Sequence, residues 1–337
     1  MKLATKDTVK IAHKNTTGNW AYQAIEKYFE KTIKWEKSVK KDEDAEALHQ
    51  MRVGMRRLRT AVSRFGIFLS LPKSVSEKNI AKIARTLGSL RDLDVQKDLL
   101  ENDYQPYLPK QEQKSLHIVF TQLAKHREIA ANDVQNILKH ELYKSFKHEL
   151  QEWLDKPIYQ NSAFLPIQQV LSDLLLPEVS QFFLHPGWLI GTKFLDSDVA
   201  LETNWTSKEL EFHLESQGEI LHSLRKQAKR LRYQMELFSN LYSEDYSSLI
   251  SEVKEVQEIL GLLQDSVILN DWLENIFKSD ISNQLGRLNT LLMGNRYQLW
   301  QQWQPLQAKF LNFETKQNFR LSILQVPPSF QTGEIPQ

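Results

Sequence analysis

Apolar residues along most of this chain recur every three or four positions, the period of a helix that buries one face. Thr16 to Lys41 spaces Trp20, Ala24, Ile25, Tyr28, Ile33 and Trp35 in this way. Asp44 to Leu69 does the same with Met51, Met55, Leu58, Val62 and Phe65, and Val75 to Asn102 with Ile80, Ile83, Leu87 and Leu90. After a joint at Pro106 and Pro109, Lys110 to Trp153 predicts one long helix or two in series. The second half predicts a helix entering through Leu210 to Gln217 and running on to Tyr242, another from Tyr246 to Phe277, and a last one from Ile281 to Phe313. No stretch alternates with the period of a strand. Residues 156–206 carry four prolines and read as an irregular connection with a short helix, while residues 1–15 and 325–337 are polar and predict disordered tails. The expected fold class is therefore all-α, built as antiparallel helical bundles.

One of these helices is unusual in its polar face. His49, Arg52, Arg56 and Arg59 share a stripe beside the apolar one, and the stretch His49 to Arg64 holds five arginines and no acid. The pattern returns at His222, Arg225, Lys229 and Arg232, 173 positions later. Arg57, Leu58 and Phe65 likewise match Arg230, Leu231 and Phe238. A second block keeps the same offset: Leu87, Gly88, Leu90, Asp92, Asp98 and Glu101 match Leu260, Gly261, Leu263, Asp265, Asp271 and Glu274. Two blocks at one offset, with no insertion between them, imply an internal repeat of two similar halves related by a pseudo-twofold axis. The two basic rows can then meet and face a shared anion.

Composition sharpens that reading. The net charge is only +1, but the two basic helices hold five Lys or Arg each, so the remainder of the chain carries about −9. Positive charge is concentrated rather than spread. The absence of cysteine excludes disulfides, thiolate nucleophiles and Cys-ligated zinc or iron–sulfur sites, and fits a reducing compartment. With neither a signal-peptide pattern at the start nor an apolar run of spanning length, the expected location is the cytoplasm.

The paired strings HxxRxxxRRLR with LGxLRDxDV, and LHxLRKxxKRLRY with LGxLxD, resemble the CHAD domain family, the conserved-histidine α-helical domains. The resemblance covers Thr16 to Phe313, with repeat one at 16–155, repeat two at 207–313 and the connection at 156–206. It implies two helical bundles around a basic central channel that binds inorganic polyphosphate, with possible association with polyphosphate granules. Many family members follow a triphosphate-cleaving CYTH domain with an ExExK strand motif. The nearest string here, Glu209 to His213, has His in place of Lys and sits in a helical context, so the chain resembles a stand-alone member. It departs from the pattern at Gln264, where Arg91 has its counterpart, and at Ser266 and Val267, which replace Leu93 and Asp94.

The candidate polyphosphate-binding residues are His49, Arg52, Arg56, Arg59, His222, Arg225, Lys226, Lys229, Arg232 and Tyr233. A basic helix face is ordinarily solvated or ion-paired, yet only Arg232 with Glu236 has helical ion-pair spacing in either helix. Guanidinium forks and ammonium groups both suit phosphate oxygens. Arg57 and Arg230 point to the other side of the stripe and repeat together with Asp92 and Asp265, which predicts structural ion pairs among these four. Three roles are open to His49 and His222: an interface side chain, a phosphate donor, or a metal ligand; no HxxxH or HExxH spacing accompanies them. No Walker loop or nucleophile elbow is present, and no cofactor or metal is expected. Two other readings use the same groove: a nucleic-acid-binding module, which would need aromatic rings to stack bases, and a metal-assisted phosphohydrolase. Trp20, Trp188, Trp300 and Trp303 fit packing better than stacking.

Overall fold

The computed structural model describes residues 15–326 apart from 43, 197 and 279–280. The expected tails lie outside the described residues, except at Asn15, Gln325 and Val326. Helices dominate, in the order α1 Thr17–Lys34, α2 Glu36–Lys41, α3 Ala45–Phe65, α4 Glu77–Leu99, α5 Lys110–Lys139, α6 Glu141–Asp155 and α7 Ile167–Phe183. A hairpin of β1 Thr192–Leu195 and β2 Asp198–Leu201 follows, and then α8 Ser207–Leu237, α9 Glu244–Phe277, α10 Ile281–Gln284, α11 Gly286–Leu311 and α12 Phe313–Leu324. The fold is all-α with one small sheet.

Capping explains where the two basic helices begin. Asp44 accepts from the Glu46 amide to start α3, and Thr206 with Glu209 forms a reciprocal capping box at the start of α8. The second of these accounts for Glu209 in the ExExK-like string. Its neighbour Glu211 grips the buried guanidinium of Arg296 from α11, through Nε at 2.8 Å and Nη2 at 2.5 Å. His213 stacks on Trp205 with ring centroids 3.9 Å apart. All three positions are occupied by scaffold contacts.

Met51, Met55, Leu58, Ala61 and Phe65 of α3 are wholly buried, facing Ala21, Ala24, Ile25 and Tyr28 of α1. Gly54 permits that approach, since a Cβ there would stand 2.6 Å from Thr32 Oγ1 and 3.1 Å from the Thr32 amide. Helix α8 packs in the same way on α9 and α7. The two halves do not keep separate cores: one apolar cluster runs from α1 and α3 through α7 to α8, α9, α11 and α12. Phe65 and Phe238, equivalent positions of the repeat, meet edge to face within it at 5.6 Å. A second cluster joins the far ends, with Leu100, Tyr104, Leu116 and Leu123 against Leu269, Leu273, Leu288 and Leu292. There Glu112 of α5 caps α11 by accepting from the amides of Arg287 and Leu288 at 2.8 and 3.0 Å.

Several expectations change here. Residues 156–206 are not a loose connection, because Leu171, Leu175, Val179 and Phe182 of α7 carry the apolar run into the main core. The same segment holds the hairpin, whose pairing runs from Thr192 with Leu201 to Leu195 with Asp198. Pro177, one of the four prolines of that segment, lies inside α7, as Pro305 lies inside α11; burial of flanking apolar residues outweighs the lost hydrogen bond. The expected end of the fold at Phe313 also moves outward, for α12 buries Phe319 and Ile323. Lys110 to Trp153 resolves into two helices in series, α5 and α6.

Candidate functional site

Helices α3 and α8 lie against each other, and their basic stripes share the junction. A groove of about 330 Å³ opens there, lined by Arg56, Arg59, Thr60, Ser63 and Arg64 from α3 and by Lys226, Lys229, Arg230, Tyr233 and Gln234 from α8, with Glu77 and Glu178 at its edges. Arg56 donates to Tyr233 Oη at 2.9 Å. The Tyr233 ring also carries the guanidinium of Arg232 at 4.5 Å and that of Arg56 at 5.5 Å from its centroid.

Two arginines 173 positions apart, Arg52 and Arg225, make parallel contacts. Arg52 lies across Gly88 of α4 and reaches Asp92, one turn further along, at 3.0 Å. Arg225 lies across Gly261 of α9 and reaches Asp265 at 3.4 Å. A Cβ on either glycine would stand 3.7 Å from Arg52 Nε or 3.1 Å from Arg225 Nε. The repeated glycines are therefore seats for the repeated arginines, and the repeated aspartates hold them there. This corrects the expected pairing: Asp92 and Asp265 bind Arg52 and Arg225, not Arg57 and Arg230. A helical wheel gives the direction of a side chain, but only the bare glycine surface lets Arg52 and Arg225 cross to the next helix.

Arg57 is nonetheless held by the scaffold, through Glu236 of α8 at 3.4 Å and the ring of Tyr28 at 5.8 Å. Arg230 is exposed and belongs to the groove wall, within electrostatic reach of Glu77. Arg59 is clamped by Glu77 at 2.7 and 3.1 Å. Arg232 bonds Glu236 at 2.7 Å and Gln257 at 2.9 Å. These two predicted site residues thus carry compensated charge. Arg64, not a predicted site residue, reaches the buried Glu178 at 2.8 Å. Among the described residues, no carboxylate pairs with Arg56, Lys226 or Lys229.

Arg56 and Lys229, equivalents in the repeat, connect the groove to the histidines. Lys229 is pulled down to about 7 from an ordinary 10.5, first by burial and then by Arg56, Arg225 and Arg52, with Asp265 opposing. His49 titrates below its ordinary value because of burial, opposed by Glu46 and reinforced by Arg91, Arg52 and Arg56. His222 is lowered likewise by burial, Lys226 and Arg225, and its Nδ1 is buried without a hydrogen-bond partner. Asp265 is raised by burial and by Asp92, with Arg225 working the other way. Charge repulsion is thus concentrated on Lys229.

A CHAD domain model matches residues 23–274. The chain belongs to the CHAD domain family. Among solved structures, this CHAD protein is similar to the CHAD domain from the plant Ricinus communis, with 20% identity, a TM-score of 0.52 and 99% of each chain covered. It is also similar to PptA from Streptomyces chartreusis, with 13% identity, a TM-score of 0.57, and coverage of 92% of this chain and 98% of that one. At such identities the likeness concerns the fold. No curated protein matches the chain.

Sequence reading missed several participants. Arg91 joins the site through His49, Glu77 and Glu178 fix cations around the groove, and Glu236, foreseen beside Arg232, also reaches Arg57. The acids do not follow the repeat: the counterpart of Glu236 is Ser63, and that of Glu77 is Ile250. Asp94, by contrast, is scaffold, tied at 2.8 Å to Arg127, which also holds Asp42. The four tryptophans named above are all buried. No helix of the described residues is long and apolar enough to cross a membrane.

Proposed function

We propose that this CHAD protein binds inorganic polyphosphate in the groove between α3 and α8, without transforming it. The observation that carries this is the triad Arg56, Lys226 and Lys229, which converges with no carboxylate partner although the fold supplies acids to the cations beside it. Unrelieved positive charge in a half-enclosed groove costs stability until an anion compensates it. Arg52 and Arg225, seated on their glycines and held by Asp92 and Asp265, add to the positive potential at Lys229. His49 and His222 are placed to donate to phosphate when protonated.

A chain of phosphates needs charge and no ring face. Tyr233 is the aromatic residue of the groove wall, and its ring is flanked by Arg232 and Arg56 while its hydroxyl is engaged. That arrangement favours polyphosphate over single-stranded nucleic acid, which gains much of its affinity by stacking. The described residues also offer no group of three or more carboxylates or histidines arranged to hold a metal ion. The reading is tested by competition: polyphosphate should displace a bound single-stranded oligonucleotide of equal charge, and log Kd should rise linearly with log salt. Preference for the oligonucleotide would transfer the groove to nucleic acid.

A further inference from the structure

Helix α4 has a second polar face besides the one that seats Arg52. Lys82, Arg85, Thr86 and Ser89 follow one another along it at helical spacing, where α4 packs on α5. An open groove of about 390 Å³ lies between them and Asp133, Asn136 and His140. Its groups divide by hydrogen-bonding role. Lys82 and Arg85 only donate, and among the described residues neither is paired with a carboxylate. His140 caps α6 by accepting from the Leu142 amide through Nδ1 at 3.0 Å, so the ring keeps its proton on Nε2 and donates from there. The hydroxyls of Thr86 and Ser89 donate to the carbonyls of Lys82 and Arg85 at 3.4 and 3.2 Å, which leaves their oxygens free to accept. Asp133 accepts as well, and among the described residues no cation pairs with it. The repeat shows that the fold does not require this arrangement: the counterparts of Lys82, Arg85, Thr86 and Ser89 are Glu255, Glu258, Ile259 and Leu262, in the unbroken helix α9.

We propose that this groove is a second anion site, separate from the one between α3 and α8, and that it binds the phosphomonoester of a sugar or other small polyol. Lys82, Arg85 and the His140 Nε2–H hold the phosphate, since all three donate and two carry fixed positive charge. Asp133, Thr86 and Ser89 accept from the hydroxyls, and Asn136 can serve either side. A ligand complementary to both halves needs an anion and hydrogen-bond donors in one small molecule. Polyphosphate lacks hydroxyls along its chain and would meet Asp133 with like charge, so the ligand of the α3–α8 groove does not fit here. Inorganic phosphate would leave the accepting half unused. Because Lys82, Arg85, Asp133 and His140 are exposed, the expected affinity is modest.

Glucose 6-phosphate and glycerol 3-phosphate are titrated calorimetrically into the full chain, with inorganic phosphate and glucose in parallel. At least one of the two esters should bind with Kd below about 1 mM, and inorganic phosphate and glucose at least about tenfold more weakly. The same affinity should be found in the variant Arg56→Glu with Lys229→Glu, whose α3–α8 groove no longer attracts anions. Lys82→Glu with Arg85→Glu installs the residues that α9 carries at these positions, so the helical spectrum should be unchanged while ester binding weakens by at least about tenfold. Asp133→Asn should weaken ester binding by roughly fivefold and leave inorganic phosphate equal or tighter. Binding of neither ester, or ester binding unaltered in the folded Lys82→Glu, Arg85→Glu protein, would overturn the site. Loss of the ester in Arg56→Glu with Lys229→Glu would move it to the α3–α8 groove and overturn the proposal too. Inorganic phosphate binding as tightly as the esters, or Asp133→Asn weakening both alike, would overturn the assignment to polyol phosphates.

Discussion

Polyphosphate binding should draw a proton onto the protein at alkaline pH, because of Lys229. The folded protein holds that proton with a value of about 7, against an ordinary 10.5, owing to burial and to Arg56, Arg225 and Arg52. At about pH 8 the free protein therefore keeps Lys229 roughly nine-tenths neutral, and an anion lying against it restores the ordinary value, so about 0.9 proton is taken up per site. The same linkage weakens affinity by roughly a hundredfold between about pH 6 and pH 9, or about 2.7 kcal/mol. His49 and His222 add to the slope only where they titrate, at lower pH, since both lie below their ordinary value. For stability the sign is the reverse. Below about pH 7 the free folded protein bears the full penalty of the charged Lys229, an upper bound of about 5 kcal/mol before solvent screening. Between about 7 and 10.5 the folded state releases the proton while the unfolded state retains it, so the free protein gains stability as pH rises. The assay is isothermal titration of polyphosphate in buffers of different ionisation enthalpy, with Lys229→Arg as the variant that keeps its charge throughout. Absence of proton uptake in the native protein at about pH 8, or equal uptake in Lys229→Arg, would refute the reasoning.

Two further substitutions test the scaffold of the site. Gly261→Ala pushes a methyl group to 3.1 Å from Arg225 Nε, whereas at Gly88 the corresponding gap to Arg52 is 3.7 Å. Gly261→Ala should therefore weaken polyphosphate binding by roughly fivefold, about 1 kcal/mol, and Gly88→Ala by less, with equal effects telling against the glycine-seat geometry. Arg296→Ala strands Glu211 and removes a fully buried fork, so urea denaturation should show a loss of about 3 kcal/mol with binding by the surviving folded protein unchanged.

The basic helices were legible in the sequence because they repeat. A stripe such as Arg52, Arg56 and Arg59 is ambiguous alone, but a second copy at a constant offset carries information that a single helix cannot. The same repeat displayed Gly88 with Gly261 and Asp92 with Asp265, though not what they do, since Arg52 reaches Asp92 across the bare surface of a neighbouring helix and no spacing within α3 records that reach. Glu77 and Glu178 were illegible for a related reason: each meets an arginine from a different element, as Glu236, legible beside Arg232, does when it also reaches Arg57. They decide which cations of the stripe are compensated, so the narrowing of the site to Arg56, Lys226 and Lys229 needed coordinates. In the fold, helical periodicity located the long elements well. It failed at residues 156–206, where prolines suggested a linker but the apolar residues of α7 build the core, and where four-residue strands are too short to display a period.

The central claim is that Arg56 and Lys229 form the heart of a polyphosphate site. Its most direct test is titration of polyphosphate of defined length against the double variant Arg56→Glu with Lys229→Glu, with circular dichroism run alongside. The account predicts an unchanged helical spectrum and loss of binding by at least about a hundredfold, since two cations become two anions in one groove. Affinity equal to that of the native protein, in a variant that remains folded, would contradict it.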